Sequence, residues 1–376
     1  MTPSPLFTAF DCRGVRFRNR LVVSPMCQYQ ATEGLVNDWH YAHHARFALG
    51  DIGGAVLEAT AVTREGRISP GCLGIWSDDH IPGLRRLADL YHQHGIPLGV
   101  QLGHAGRKAS SAVPWLGSAP LGADSSSPAW STLAPSALAH NKGWPIPEAA
   151  SLEAIDQVVA AFAGAAGRAV DAGLDFVEIH GAHGYLLHEF FSPLANKRGA
   201  VYGGDFMGRA RLALEVVQAV RKLVPSDMPV WYRASCVDGD NGGITLDDTV
   251  RLARLLADEG VDLMDCSAGG IVGPVARSAT VATPGHQVPY AARIRAEAEI
   301  ATMAVGLITT AQQAEEVIAS GAADLVALGR ALLDDPSFAY HAAMELGVAD
   351  AHDLLPQVHV FFWRAGRRAQ GRRLHD

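Results

Sequence analysis

The chain has 376 residues, of which 48% are hydrophobic and 19% are charged, and its formal net charge is −8. No apolar run approaches the roughly 18 residues that a membrane-spanning helix requires, so the composition excludes a helical membrane protein. The negative charge argues against a general binder of nucleic-acid backbone. The segment from Arg364 to Arg373 carries five arginines, and we interpret it as a solvated end or a subunit contact.

Short apolar runs rich in Val, Ile and Leu alternate with longer amphipathic stretches, which is typical of alternating strands and helices. The runs are almost continuously apolar, which indicates burial on both faces, as in a closed parallel barrel. The predicted strands, in chain order, are Leu21–Ser24, Ala55–Glu58, Leu98–Gln101, Phe176–Ile179, Val230–Arg233, Leu263–Ser267, Met303–Val305 and Leu325–Leu328. Eight such strands predict a TIM (β/α)8 barrel, a fold that holds about 250 residues or more in one domain.

Two of the predicted helices have clear start signals. Ser151 precedes the pattern that runs to Ala172, and the helix from Thr245 to Glu259 opens with Thr-Leu-Asp-Asp. The longest interruption, Ala105–Ala150, is rich in Pro, Ser, Gly and Trp and is too long for an ordinary connection. We expect it to be a loop insertion after the third strand that serves as a lid or a substrate loop. Residues 1–345 then form one barrel domain, and residues 346–376 form a C-terminal tail.

Polar residues gather at the predicted ends of the strands, where a TIM barrel carries its active site. In chain order they are Ser24 to Tyr29, Ala59 with its small side chain, Gln101 and His104, then His180, His183 and Tyr185, and finally Arg233. The seventh strand runs into Gly306 and the eighth into Gly329 and Arg330. Those two loops of a barrel commonly bind a phosphate through backbone N–H groups, and an adjacent arginine can add two hydrogen bonds.

The pair His180 and His183 allows more than one interpretation when it is taken alone. Two histidines three positions apart could be zinc ligands, although no third ligand of fixed spacing and no His-Glu-x-x-His helix lies nearby. Tyr185 alone is more often a packing residue than an acid, and Cys27 alone is most often a small buried hydrophobe. A metal-dependent barrel hydrolase therefore stays open as an alternative.

Five segments, taken together and in order, carry a family resemblance. They read Ser-Pro-Met-Cys-Gln-Tyr from Ser24, Glu-Ala-Thr-Ala-Val from Glu58, Gln-Leu-Gly-His-Ala-Gly-Arg-Lys from Gln101, His-Gly-Ala-His-Gly-Tyr-Leu-Leu-His-Glu-Phe-Phe-Ser-Pro from His180, and Ala-Asp-Leu-Val-Ala-Leu-Gly-Arg from Ala323. They resemble the Old Yellow Enzyme family of FMN-dependent ene-reductases, in particular its thermophilic-like bacterial branch, over roughly residues 5–345. The resemblance implies a TIM barrel with FMN at its C-terminal mouth and NAD(P)H-dependent reduction of activated C=C bonds in α,β-unsaturated carbonyl and nitro compounds.

The resemblance also implies a role for each candidate residue. The cofactor contacts would be Ser24, Pro25, Met26, Cys27 and Ala59 along the flavin ring, Gln101 at its pyrimidine edge, Arg233 near N1, and Gly306, Gly329 and Arg330 at the phosphate. Cys27 would tune the flavin potential and not act as a nucleophile. His180 and His183 would donate hydrogen bonds to the substrate carbonyl oxygen, Tyr185 would protonate the α-carbon, and Tyr29 would line the substrate space.

The remaining expectations concern partners and location. No Gly-x-Gly-x-x-Gly follows a predicted strand, so NADPH or NADH would share the flavin face with the substrate and the kinetics would be ping-pong. Five scattered cysteines argue against a disulfide framework, which indicates a protein of the reducing cytoplasm. They also lack the local quartet that an iron–sulfur cluster requires. We expect a homodimer or homotetramer. Members of the resembled branch often complete a neighbouring active site with an aromatic residue or an arginine near the C-terminus, and Phe362, Trp363 and Arg364 are the candidates here. A non-catalytic flavin-binding module is a further alternative.

Overall fold

Eight parallel strands close into a barrel in the computed structural model, which describes residues 4–122, 125, 127–199, 201–272 and 283–369. In chain order the barrel strands are Leu21–Val23, Gly54–Ala61, Leu98–Gly103, Phe176–Gly181, Val230–Ser235, Leu263–Ser267, Ala301–Ala304 and Leu325–Leu328. The eighth strand pairs in parallel with the first, with Leu328 opposite Val23, and this pairing closes the ring. The predicted TIM barrel is therefore confirmed.

Helices alternate with the strands and cover the outside of the barrel. Their bounds are Asp38–Ala48, Ile81–His92, Leu152–Asp171, Leu186–Phe191, Phe206–Leu223, Leu246–Asp258, Val288–Ala298, Ala311–Ala319, Arg330–Asp334, Phe338–Glu345 and Gln357–Ala369. The two predicted start signals are confirmed, because the Ser151 hydroxyl accepts from the Ala154 N–H at 3.1 Å and the Thr245 hydroxyl from the Asp248 N–H at 3.2 Å. Within the described ranges, no helix is both long enough and apolar enough to cross a membrane.

Several strands reach further toward the mouth than predicted. Ala59 and His180, which we expected after their strands, lie inside them, and Arg233 lies two residues before the end of the fifth strand. Conversely, Ser24 follows the first strand, and Val305 follows the seventh. The prediction placed most strand ends where the apolar run stops. Inside a barrel, however, polar side chains can face one another across the lumen, so a change to polar residues does not end a strand.

A β-bulge at Glu58 changes which side chains of the second strand face the lumen. The register to the third strand shifts between Leu57 and Ala59, so that Ala59 lies opposite Gln101. A bulge inserts one extra residue and reverses the alternation of side chains beyond it. Glu58 is thereby free to bind the neighbouring loop, where the Gln28 N–H donates to its carboxylate at 3.1 Å.

Aromatic rings fill the base of the barrel. Phe176 and Trp231 lie on neighbouring strands with ring centroids 4.1 Å apart, and Phe17 stacks on Trp231 at 5.6 Å. Phe17 belongs to a two-stranded hairpin, Phe10–Cys12 and Val15–Phe17, that precedes the first barrel strand. With Val22, Val56, Leu263, Met303, Leu325 and Ala327, these rings form a fully buried apolar cluster at the N-terminal end of the strands.

A polar layer lies directly above this base. Because side chains alternate along a strand, Phe176, Glu178 and His180 all face the lumen, from the base to the mouth. The middle level holds Gln101, Glu178, Arg233 and Asp265, all at most 6% exposed. Barrel interiors are usually filled with branched apolar residues. Burying charged groups there costs folding free energy, so packing alone does not explain this layer.

The long connection after the third strand is folded onto the barrel. It contains two single helical turns, Gly106–Lys108 and Pro114–Leu116, and a short strand pair, Leu133–Ala134 with Glu148–Ala149. The guanidinium of Arg67 lies over the rings of both Trp76, at 5.4 Å, and Trp130, at 5.1 Å, which attaches the connection to the loop after the second strand.

Gly99 tests how tightly the base is packed. A Cβ atom at this position would overlap the Phe176 ring, so Gly99→Ala should lower the free energy of unfolding by about 1–3 kcal/mol. The matched control is Gly167→Ala, on the helix Leu152–Asp171, where an added Cβ meets nothing within 4 Å. This control should gain about 0.5–1 kcal/mol because alanine favours a helix. Urea unfolding of both variants gives the comparison, and an equally stable Gly99→Ala protein would contradict the packing argument.

Candidate active site

Two cavities open at the C-terminal mouth of the barrel. One of about 600 Å³ is bounded by Ser24, His183, Arg233 and the loops after the seventh and eighth strands, which supply Gly306, Gly329 and Arg330. The other, of about 820 Å³, is bounded by Cys27, Tyr29, Tyr185 and the insertion residues 108–120 and 140–144. A small recess lined by Ala59, His180 and Tyr185 lies beside them. Eleven of the candidate residues thus line at least one of these three spaces, and His180 and Tyr185 share the small recess.

The segment from His180 to Tyr185 is a tight turn between the fourth strand and the helix Leu186–Phe191. His183 and Gly184 both adopt positive φ, 60° and 72°, and Tyr185 is the first residue before the helix. A side chain at position 184 would collide with the Gly270 carbonyl, so only glycine fits there. The turn brings both histidines and the tyrosine to the mouth within six positions of the chain.

Buried hydrogen bonds hold this turn in place. The Gly184 N–H donates to Nδ1 of His188 at 2.9 Å, and Nε2 of His188 contacts Asp238 at 2.8 Å. Asp238 also accepts from the Ser192 hydroxyl at 2.6 Å and from the Ile244 N–H at 2.8 Å. Although burial acts to raise the pKa of Asp238, its contacts with His188, Ser192 and Ile244 hold that pKa below its ordinary value. An ionised Asp238 therefore fixes the turn through His188.

The three rings of the turn contact one another edge to face. The His180 centroid lies 5.1 Å from that of His183 and 4.9 Å from that of Tyr185, and both pairs are nearly perpendicular. Among the described residues, no three His, Cys, Asp or Glu side chains are gathered in a way that could hold a metal ion. The ring that contacts both histidines in the described part of the chain is that of Tyr185.

His180 is neutral and presents one N–H group. The Ala182 N–H donates to Nδ1 of His180 at 3.3 Å, which leaves the proton on Nε2. Burial, together with the nearby Arg233, lowers the pKa of His180 well below its ordinary value. The ring therefore acts as a hydrogen-bond donor without carrying a charge.

His183 has partners that sequence analysis did not find. Its backbone N–H donates to the Ser235 hydroxyl at 2.9 Å, and its Nε2 contacts the Ser267 hydroxyl at 2.8 Å. Burial and the charge of Arg233 also lower the pKa of His183 well below its ordinary value. Both serines are the last residues of barrel strands, and that position was the available signal. The predicted fifth strand ended at Arg233 and so excluded Ser235, whereas Ser267 ends the sixth strand in both the prediction and the structure.

Tyr185 and Lys108 meet at the boundary of the larger cavity. The Lys108 ammonium lies 5.2 Å from the centroid of the Tyr185 ring and donates to the carbonyls of His183 at 2.7 Å and of Gly270 at 3.1 Å. Burial lowers the pKa of Lys108 to about 8, and it raises the pKa of the Tyr185 hydroxyl well above its ordinary value. Tyr185 therefore keeps its proton at neutral pH.

The loop Ser24–Tyr29 forms the opposite wall. The Ser24 N–H donates to the Leu328 carbonyl at 2.9 Å, and Met26 lies against Gly329, which joins the first and eighth strands at the mouth. Cys27 and Tyr29 both face the larger cavity. Burial raises the pKa of the Cys27 thiol well above its ordinary value, so the sulfur is uncharged. An uncharged thiol is a poor nucleophile, in agreement with the expected tuning role.

The smaller cavity has the groups that a phosphorylated flavin requires. Gly306 has φ of 126°, a conformation that other residues rarely adopt, and a Cβ there would crowd Gln287 at 3.2 Å. Gly306 and Gly329 thus leave backbone accessible at the cavity wall, with Arg330 beside them. Arg233, whose Nε has no well-aligned acceptor among the described residues, lines the same space. The groups present are those that FMN requires: Gly306, Gly329 and Arg330 would hold its phosphate, and Arg233 would supply positive charge at the same cavity.

Three of the predicted contacts lie behind these walls. Gln101 is buried and donates to Glu178 at 2.8 Å, while Pro25 and Met26 are half-buried within the loop Ser24–Tyr29 and line none of the three spaces. In the tail, Trp363 stacks on His352 with centroids 3.7 Å apart and Arg364 contacts Asp353 at 3.1 Å. Phe362, on the same helix, is 67% exposed. Arg372 and Arg373 lie outside the described residues.

Comparison with known proteins gives consistent relatives. The model of the family described as the NADH:flavin oxidoreductase / NADH oxidase family matches residues 5–348. An NADPH dehydrogenase from Geobacillus sp. (strain WCH70) is 44% identical over 344 residues, which cover 91% of this chain and 94% of the relative.

Solved structures with the same fold are more distant in sequence. An old yellow enzyme homologue from Zymomonas mobilis superposes with a TM-score of 0.74 at 23% identity, over 91% of this chain and 93% of its own. Morphinone reductase superposes with the same TM-score and identity, over 93% of this chain and 91% of its own. At this level of identity the two structures support the fold alone.

Arg330 tests the phosphate site. Arg330→Ala should weaken FMN binding roughly tenfold. A hydrogen bond to a charged group contributes about 1.5–3 kcal/mol of binding free energy, and because Arg330 is exposed we expect the lower end of that range. Titration of the apoprotein with FMN, followed by flavin fluorescence, measures the change. The control is Arg86→Ala, which removes another exposed arginine, 3.0 Å from Asp38 on a different helix. Equal affinity in wild type and Arg330→Ala would place the phosphate elsewhere.

Proposed function

This chain belongs to the NADH:flavin oxidoreductase / NADH oxidase family, and within that family we propose that it is an ene-reductase that acts on activated C=C bonds. Membership confirms the resemblance to the Old Yellow Enzyme family. The protein is an FMN-dependent oxidoreductase of the NADPH dehydrogenase type, so a nicotinamide coenzyme is its partner. The finer proposal concerns the second substrate, an α,β-unsaturated carbonyl or nitro compound.

The observation that carries the proposal is the perpendicular contact among His180, His183 and Tyr185 between the two cavities. Two neutral imidazoles and one protonated phenol bring hydrogen-bond donors together at one place. Donors without charge suit an oxygen atom that becomes negative only during the reaction. FMN, when bound, accepts hydride from the coenzyme and delivers it to the β-carbon of the substrate.

The histidines would hold the carbonyl or nitro oxygen of the substrate. His180 carries its proton on Nε2, as argued above, and this N–H is the first donor. The second donor is His183, whose Nε2 contacts the Ser267 hydroxyl at 2.8 Å. A substrate oxygen would replace that hydroxyl as the partner of His183, while the Ser235 hydroxyl keeps the His183 backbone in place. The two N–H groups then stabilise the negative charge that develops on the oxygen.

Tyr185 would supply the proton to the α-carbon. Its hydroxyl remains protonated because burial raises its pKa, and it lines the cavity that would receive the body of the substrate. Lys108 keeps this arrangement by binding the His183 and Gly270 carbonyls. Cys27 and Tyr29 line the same cavity and would contact the substrate or the ring of the cofactor.

Coenzyme and substrate would use the same face in turn, which gives ping-pong kinetics. We further propose a cytoplasmic homo-oligomer in which residues 346–376 contact a neighbouring subunit. The exposed rings of Phe361 and Phe362 on the helix Gln357–Ala369 support such a contact, since large apolar side chains exposed together favour association. Trp363 and Arg364 already contact their own chain at His352 and Asp353.

Rapid mixing of the two half-reactions tests the proposal. In wild type, NADPH should bleach the FMN absorbance without oxygen, and cyclohex-2-enone should restore it. In His180→Ala, bleaching should proceed while restoration slows by roughly 10²–10³-fold, because one donor to the developing oxyanion is lost. A colourless protein that requires a metal would favour the hydrolase. A yellow protein that the enone never re-oxidises would favour a non-catalytic flavin-binding module.

Tyr185→Phe separates proton donation from positioning. The variant loses only the hydroxyl, so bleaching by NADPH should be nearly unchanged while re-oxidation by simple enones slows. Nitroalkenes should be less affected, because the product can leave as a stabilised nitronate without receiving a proton at carbon. Stopped-flow measurement of both half-reactions with both substrates gives the answer. An equal loss in the two half-reactions would show that Tyr185 shapes the site and does not protonate the substrate.

A further inference from the structure

The middle layer of the barrel holds two carboxyl groups that the reaction described above does not use. Glu178 and Asp265 are both fully buried, on the fourth and sixth strands, with the strand of Arg233 between them. Glu178 accepts from the Gln101 amide at 2.8 Å, and Asp265 lies 3.1 Å from Nε of Arg233. The layer thus contains two acids and one base.

The hydrogen bonds of this layer are incomplete if both acids are ionised. Oε2 of Glu178 and both carboxylate oxygens of Asp265 then have no well-aligned donor among the residues that the structure describes. The two carboxyl groups contact each other, but two carboxylates can only accept hydrogen bonds. A proton between them pairs Glu178 with one oxygen of Asp265 and removes the repulsion between like charges, and the Arg233 guanidinium remains the second partner of Asp265.

The surroundings indicate which carboxyl group carries the proton. Asp265 lies 3.1 Å from the Arg233 guanidinium, which favours its ionised form. Glu178 hydrogen-bonds to the neutral Gln101 amide, and the charge of Arg233 acts on it without an ion pair among the described residues. Burial, together with Asp265, raises the pKa of Glu178 above its ordinary value. Burial also raises the pKa of Asp265, while Arg233 acts to lower it. Glu178 is therefore the proton donor and Asp265 the acceptor.

Arg233 connects this pair to the cavity. Its side chain lines the 600 Å³ space that fits FMN, and Asp265 contacts it from inside the barrel. A positive charge beside the flavin N1 and C2=O stabilises the reduced cofactor, on which negative charge accumulates. A carboxylate beneath the guanidinium weakens that stabilisation, because it offsets part of the positive charge.

We propose that Glu178 and Asp265 share a single proton and hold one negative charge beneath Arg233, and that this charge sets the reduction potential of the bound cofactor. They are positioning residues, since they act through Arg233 and touch neither substrate nor cofactor. This inference rests on the proposed function, in which FMN lies over Arg233. Beyond that function, Glu178 and Asp265 control the reduction potential of the cofactor from inside the barrel.

A shared proton makes an unusual prediction for amide substitutions. In Glu178→Gln the pair loses its neutral member, and Asp265 keeps the negative charge. In Asp265→Asn the remaining Glu178 can release its proton and carry the charge instead. Only the double variant Glu178→Gln/Asp265→Asn removes the charge, and its two amides can still hydrogen-bond to each other. The effects on the potential should therefore be non-additive.

The measurement is the midpoint potential of the holoenzyme, in equilibrium with a redox dye of known potential. Glu178→Gln should leave it nearly unchanged, and Asp265→Asn should raise it by less than half as much as the double variant does. In the double variant the ratio of the affinity for reduced FMN to the affinity for oxidised FMN should rise roughly tenfold. This corresponds to a midpoint potential about 30 mV higher for a two-electron couple. Thermal unfolding of each holoenzyme verifies that the variants fold.

An infrared difference spectrum of wild type against Glu178→Gln is a second measurement, which does not depend on the double variant. The wild type should show the carbonyl band of a protonated carboxylic acid that the variant lacks. Absence of that band, or a Glu178→Gln potential that shifts as far as that of the double variant, would overturn the proposal. An unchanged potential in a folded double variant would overturn it too. If wild type itself binds no FMN, the proposed function fails instead.

Discussion

The closure of the barrel is the constraint on which the rest of the structure depends. Parallel pairing of the eighth strand with the first makes every strand present its C-terminal end at the same mouth. Residues far apart in the chain meet there, as His183 and Ser267 do across 84 positions. Closure also gives the molecule a lumen, in which side chains face one another at close range and away from water. Both the neutral histidines and the buried acids are consequences of that enclosure.

Sequence analysis could predict the strands but not the chemistry inside them. Apolar runs located all eight strands, and the motifs located His180, His183 and Tyr185 at the mouth. Glu178 and Asp265 lay within predicted strands, yet nothing in either run indicates its partner. Their relation to Gln101 and Arg233 is set by register between strands, with Gln101 opposite Glu178 and Asp265 opposite Arg233. Register results from pairing over the whole barrel, so a local pattern does not reveal it.

The insertion after the third strand shows a second limit of local patterns. Its length and composition predicted a substrate loop, and the structure places residues 108–120 and 140–144 along the larger cavity. The contacts that fix it were not visible in the sequence. Arg67 between Trp76 and Trp130 connects two loops that are distant in the chain, and His140 packs against Trp144. These contacts hold the described part of the insertion against the barrel as one wall of the larger cavity.

Among the residues that the structure describes, aromatic side chains close the base of the barrel. Phe17, Phe176 and Trp231 pack with apolar neighbours below the level of Glu178 and Asp265, so this end of the lumen is lined by buried apolar groups. Water and hydrogen ions would therefore reach these acids from the mouth, past Arg233. With FMN seated over Arg233, as proposed, the interior would become a compartment whose hydrogen isotope content is inherited from the solvent in which the holoenzyme assembled. Exchange with a new solvent would then proceed at the rate at which the cofactor departs.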